Sequence, residues 1–291
     1  MESISSNLTM HWQTLGFDLN KNFFEHNLQN GNLSHAYLFT GQEMTGKKTF
    51  ALELAKIITR AGFENNPNLF FIGGTGSVSI DQIRGFKKFL SLKPYLGGYK
   101  IGVIDNCHLM TTEAANALLK VLEEPPAFSL IILITSNPGQ LLPTIYSRCE
   151  EIKFNPCSKS EILKYLGNLG LDKAQSEFLA DFSNGRLGLA YRMKEEDSFG
   201  DIRKTLEEFN GFLKSDINER LNFAEEVFKK EEDGRLQSKM LFWMFYLRSD
   251  LSQKLKINRA KVLRKILETN YILSKPQFNH RLAFENLLIS L

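Results

Sequence analysis

An α/β fold, a parallel sheet flanked by helices and followed by an all-helical half, is the architecture this sequence predicts. Three observations carry it. Between about residues 35 and 155, short apolar runs alternate with stretches of helical periodicity. A glycine-rich loop falls at the junction of the first such run and the helix after it. Beyond Asn155 and Pro156 the strand signals stop, and helical patterning continues to the end.

Taken in order, "HAYLFT" reads as a strand ending at Gly41, and "TFALELAKIITR" repeats apolar residues at helical spacing through Leu52, Ala55, Ile58 and their neighbours. "LFFIGG" is the second strand. "SIDQIRGFKKFLSLKP" opens with a capping box, Ser79 as N-cap and Gln82 three residues on, and puts Ile83, Phe86, Phe89 and Leu90 on one face. "YKIGVID" has the continuous apolar character of a strand buried on both faces. "TTEAANALLKVLEEPP" is a helix capped by Thr111 or Thr112, with a stripe of Ala114, Ala117, Leu118, Val121 and Leu122 and a double-proline stop. "SLIILITSNP" is a fourth strand, and "LLPTIYSRCEEIKF" passes through a short helix or turn into another extended run. The helical remainder is broken at Gly170, "SNGRLG", "EEDGR" and "SKPQ". These signals place three domains at 1–157, 158–197 and 198–291.

At 291 residues and 43% hydrophobic composition, the chain has material for several cores. Its net charge of +3 gives only slight support to a nucleic-acid partner. Cys107, Cys149 and Cys157 form no CxxC pair, which suits a reducing compartment and argues against a structural zinc site. The N-terminal stretch lacks a basic head before an apolar core, and "SLIILITS" is too short to span a bilayer, so a cytoplasmic protein with no membrane partner is expected.

"GQEMTGKKTF" has the spacing of a phosphate-binding loop: Gly41, Gly46 and Lys47 stand where backbone N–H groups and an ammonium surround phosphate. Lys48 replaces the hydroxyl that ligates Mg²⁺, and Thr49 falls one residue late, projecting to another side of the helix. The loop is thus a nucleotide cradle or a structural turn. A second phosphate-chemistry position is the end of the strand "IGVIDN", where Asp105 is present but Asn106 follows it. An amide cannot take a proton from water, so the general base is missing; neither His108 nor Glu113 has a privileged spacing to replace it, and His108 reads as an ordinary polar residue. Arg148, beyond the last strand in "TIYSRCEEI", has the guanidinium geometry for a phosphate contact from outside, although a solvated charge is the commoner fate of such an arginine.

In "SHAYLFTG", "IDQIRGF", "AANALLKVLEEPP" and "LLPTIYSRCEEIKF" the chain resembles the bacterial clamp-loader AAA+ proteins, strongly over its first half. The resemblance implies an AAA+ domain, a small helical lid and a C-terminal helical collar. Lys48, Asn106 and Gly188, the last in place of a sensor arginine, are the substitutions of the delta prime kind, which does not hydrolyse ATP; Arg186, two residues away, reads as a solvated or packing arginine. Such a subunit is implied to join gamma/tau and delta subunits, to help load a sliding clamp onto primed DNA, and to offer Arg148 in trans to a neighbour's ATP. Gly41, Gly46, Lys47, Thr49 and Asp105 would then form a degenerate nucleotide site with ATP binding weak or absent. The four-cysteine zinc module of many relatives has no counterpart in "TRAGFENNPNLFF". Arg84, Lys87 and Lys88 are candidates for DNA-backbone contact, against the blander reading of a solvated helix face; the basic run from Lys254 to Lys265 supports no site. "LFWMFYL" reads as a buried collar helix or ordinary core. The alternatives are an ATP-hydrolysing gamma/tau-like motor and another P-loop ATPase acting on DNA or protein.

Overall fold

The computed structural model describes residues 12–62, 64–74, 76–95, 97–195, 199–229, 233–248, 258–273 and 278–291. The chain divides into two compact units. One comprises Met1–Cys157 with Arg186–Gly188, the other Ser158–Gly185 with Leu189–Leu291.

The first unit is built on five strands, β1 (Ala36–Gly41), β2 (Leu69–Ile72), β3 (Lys100–Ile104), β4 (Ser129–Thr135) and β5 (Glu150–Phe154), in the order β2-β3-β4-β1-β5. Every pairing is parallel, with Ala36 opposite Ile131 and Tyr37 opposite Glu150. β3 and β4 are buried along their whole length, as their unbroken apolar runs require of strands covered on both faces. The period of two then sorts side chains between two cores. Ala36, Leu38, Ile131 and Leu133 face α3 (Ile80–Leu90) and α4 (Thr112–Glu123), whereas Tyr37, Phe39, Ile132 and Ile134 face α1 (Asp18–Asn30) and α2 (Lys47–Thr59).

The predicted helix starts are present. Ser79 and Gln82 close their capping box, and Thr111, rather than Thr112, accepts the N–H of Ala114. On α2 the buried face is Phe50, Ala51, Leu54 and Ala55, with Ile58 packed at its edge; Ala55 and Ile58 are thus on the expected stripe, whereas Leu52 is only half-buried, and Phe50 in the first turn packs against Trp12 and Phe17. α1 carries no place in the sequence reading; its mean apolarity is low, and only Phe24 is fully buried, packed on Tyr37 and Phe39.

After β5 and the short α5 (Pro143–Tyr146) that precedes it, the described residues are helical: α6 (Lys159–Asn168), α7 (Lys173–Ser183), α8 (Leu187–Glu195), α9 (Phe199–Phe212), α10 (Ile217–Lys229), α11 (Asp233–Arg248), α12 (Arg259–Leu273) and α13 (His280–Ser290). Breaks fall at Gly170 and at Asn184 and Gly185, all with positive φ. Residues 230–232 and 274–277, which include the two glutamates of "EEDGR" and the whole of "SKPQ", and Lys254 and Lys256 of the basic run lie outside the described residues. In the second unit Trp243 is fully buried, stacked on Phe209 at 4.9 Å, with its indole N–H donating to the Thr205 carbonyl. Met244 to Leu247 are buried with it, so "LFWMFYL" is a core helix. Among the described residues no helix is long and apolar enough to cross a membrane.

Candidate functional site

The glycine loop lies at the carboxyl end of β1, between β4 and β5, where the chain leaves the sheet for α2. In an open parallel sheet this end of a strand is where ligands bind. Gly41 (φ 144°) is required by contact as well as by torsion, since a Cβ there would stand 2.3 Å from the Phe154 carbonyl oxygen of the neighbouring strand. Gly46 (φ 110°) caps α2 with no side chain of its own, which leaves the first-turn N–H groups facing the loop.

Lys47 is almost completely buried, and its ammonium donates to the carbonyls of Gly41 (2.7 Å) and Gln42 (2.6 Å). Thr45, also buried, donates to the same Gln42 oxygen at 2.9 Å. The lysine is therefore engaged by its own loop. Burial pushes its pKa down to about 8, opposed by the charges of Asp105 and Glu43. Met44 (φ 60°) closes the loop, and its carbonyl accepts the Gly188 N–H at 2.8 Å. A Cβ at Gly188 would lie 2.7 Å from that oxygen, so within the first unit this position admits no side chain without moving the loop. Arg186 is buried, which settles its reading as packing rather than solvated.

The Lys48 ammonium sits 4.8 Å from the centroid of the Phe71 ring, a cation–π contact. Thr49 is exposed one residue on. Asp105 follows β3; its N–H is bound to the Ile72 carbonyl, and its carboxylate accepts the N–H of Asn106. Asn106 takes a left-handed conformation (φ 52°) and donates its amide to Gly74 O at 3.3 Å. Neither position 48 nor position 106 supplies the hydroxyl or carboxylate used in metal-assisted phosphoryl transfer. Among the described residues no group of His, Cys, Asp and Glu has the arrangement to hold a metal ion.

Two further residues join this cluster: Thr135, which the sequence reading did not single out, and His108, which it read as an ordinary polar residue. Thr135, fully buried at the end of β4, lies 3.1 Å from His108 Nδ1 and accepts the Asn137 N–H. Burial lowers the His108 pKa, against the opposing charges of Glu43 and Asp105. His108 is therefore a member of the cluster rather than an isolated polar residue. The strand-end position of Thr135 was the available signal, since ligands gather at the carboxyl ends of parallel strands.

Arg148 lies apart from the loop, just after α5. Its Nη1 donates to Thr144 O at 2.9 Å, and its Nη2 pairs with Glu123 Oε1 at 2.8 Å. Glu151, the second residue of β5, accepts from Tyr146 (2.6 Å) and Thr40 (2.7 Å), and the tyrosine hydrogen bond first of all lowers its pKa. On α3, Arg84 is paired with Asp81 at 2.8 Å, while Lys87 and Lys88 occupy the last turn, where cations favour the helix dipole. The structure thus keeps Arg84, Lys87 and Lys88 on one helix, with the lysines at its carboxyl end.

Comparison with known proteins agrees with this geometry. Residues 18–158 match the family described as DNA polymerase III, delta subunit. The delta′ subunit of DNA polymerase III from Bacillus subtilis is 32% identical over 193 residues, 60% of this chain and 58% of that protein. The tau subunit from the same organism is 30% identical over 196 residues, 59% of this chain and 35% of that protein. The aligned region thus spans less than two thirds of these relatives' own length. A solved DNA polymerase III gamma subunit-related protein from Thermotoga maritima superposes with a TM-score of 0.55 at 22% identity, covering 93% of this chain and 96% of that one, a likeness of fold. With its phosphate loop on a five-stranded parallel sheet, the chain is thus similar in sequence to the delta′ and tau subunits of DNA polymerase III.

Proposed function

We propose that this chain is a delta prime-like clamp-loader subunit that does not hydrolyse ATP and lends Arg148 to a neighbour's active site. The observation that carries the reading is the chemistry at two positions: Lys48 stands where a metal-ligating hydroxyl is needed and lies against Phe71, and Asn106 offers an amide that cannot serve as a base. Gly41, Gly46, Lys47, Thr49 and Asp105 form a degenerate nucleotide site in which ATP binds weakly or not at all, and no zinc is required. The chain acts in the cytoplasm with gamma/tau and delta subunits, and the assembled ring loads the sliding clamp on primed DNA. Residues 1–157 form the AAA+ domain, 158–197 the lid and 198–291 the collar that joins the subunits. Arg84, Lys87 and Lys88 contribute backbone contacts to DNA, which position without reading sequence.

In this reading Arg148 approaches the γ-phosphate held by an adjacent gamma/tau subunit, where its planar charge stabilises the transition state. The test is a clamp loader reconstituted from this chain with gamma/tau and delta partners. Arg148→Ala in this subunit alone is expected to lower DNA-stimulated ATP turnover roughly 10-fold or more, a minimum set well under the 10³ to 10⁵ of related trans arginines because other sites in the ring keep turning over. Unchanged turnover in a fully assembled complex would defeat the assignment. A second reading, a gamma/tau-like motor, is favoured by the tau similarity, which nearly equals that to delta′.

A further inference from the structure

We infer that Glu123 is a positioning residue for Arg148, an inference that rests on the trans-acting role just proposed for that arginine. Glu123 is the last residue of α4, followed by Glu124 and the double proline. A carboxylate there sits at the negative end of the helix dipole, an unfavourable place unless a cation is held against it. Arg148 supplies that cation, its Nη2 2.8 Å from Glu123 Oε1.

The grip is two-sided. While Glu123 holds one terminal nitrogen from α4, the other donates to Thr144 O (2.9 Å) and Ser147 Oγ (3.3 Å) within α5 and its cap. The guanidinium is thereby fixed between two helices with part of its donor fork still unspent, and the side chain remains about one-third exposed (34%). An arginine free on the surface would have to be ordered each time a phosphate arrived, whereas one already held meets developing charge without that reorganisation. Exposed ion pairs contribute little to stability. Removing the Glu123 carboxylate should therefore leave the fold intact and show itself in the chemistry.

The experiment uses the reconstituted clamp loader, with DNA-stimulated ATP turnover measured for Glu123→Gln, Glu123→Asp and Arg148→Ala in this subunit, and assembly followed by size-exclusion chromatography. Glu123→Gln is expected to lower kcat roughly threefold to tenfold with the KM for ATP unchanged, because misplacement of a catalytic group acts on the chemical step. Glu123→Asp, which keeps the charge and shortens the reach, is expected to recover part of that loss. An unchanged or raised kcat in Glu123→Gln, or a change confined to KM, overturns the positioning role while an impaired Arg148→Ala leaves the trans arginine standing. Should Glu123→Gln fail to assemble, Glu123→Asp decides: full turnover overturns the role, and an intermediate kcat at unchanged KM supports it. Normal turnover in Arg148→Ala overturns both.

Discussion

At the scale of single residues, the candidate site turns on where two lysine ammonium groups are placed. The Lys47 amine is held at about 8, against 10.5 for the free side chain, chiefly by burial. Between those values the unfolded chain binds more protons than the folded one, so stability rises with pH. The cost of the buried ammonium is fully present below about pH 8 and is relieved as pH climbs towards 10.5. Urea unfolding at about pH 7.5 and about pH 9.5 is expected to show the wild type gaining on the order of 1 kcal/mol relative to Lys47→Met, a figure reduced for the amine's residual solvent screening. Parallel pH profiles for the two proteins would contradict the burial argument. The identities of Lys48, Asn106 and Arg148 were legible in the sequence as departures from or matches to a pattern. Their partners were not: Phe71 beneath Lys48, Gly74 at Asn106 and Glu123 beside Arg148 are distant in sequence and meet only through the sheet and its helices.

At the scale of elements, strand pairing sets the constraint on the loop. β1 and β5 pair so that Gly41 lies opposite Phe154, whose backbone oxygen would be 2.3 Å from any Cβ at position 41. Backbone cannot yield as a flexible side chain does. Gly41→Ala is therefore expected to destabilise by roughly 2–4 kcal/mol, through both the clash and the positive φ. Gly139→Ala, at a position with nothing within 4 Å of a Cβ, is the near-neutral control in the same thermal unfolding measurement. Equal melting temperatures for the two variants would refute the close-approach account. Helices α3 and α4 were readable because their caps and apolar stripes are local signals. α1 was not, because a helix that buries one phenylalanine fully leaves little periodic trace.

At the scale of the whole molecule, the proposed function turns on whether this chain consumes ATP itself. With Lys48 in place of a metal-ligating hydroxyl and Asn106 in the base position, the purified chain is expected to release phosphate from Mg²⁺-ATP no faster than its Lys47→Ala variant. Robust hydrolysis that disappears in that variant would place the chain with the motor subunits. The sequence by itself determined the alternation of strands and helices, the loop between β1 and α2, the helical second half and the resemblance to clamp loaders, because periodicity, caps and motif spacing are written in neighbouring residues. Only the tertiary structure decided that Lys47 is turned onto its own loop, that His108 and Thr135 join Asp105 near it, and that Glu123 meets Arg148. Those facts depend on strand order and helix packing, which bring together residues tens of positions apart, and local pattern carries no record of such meetings.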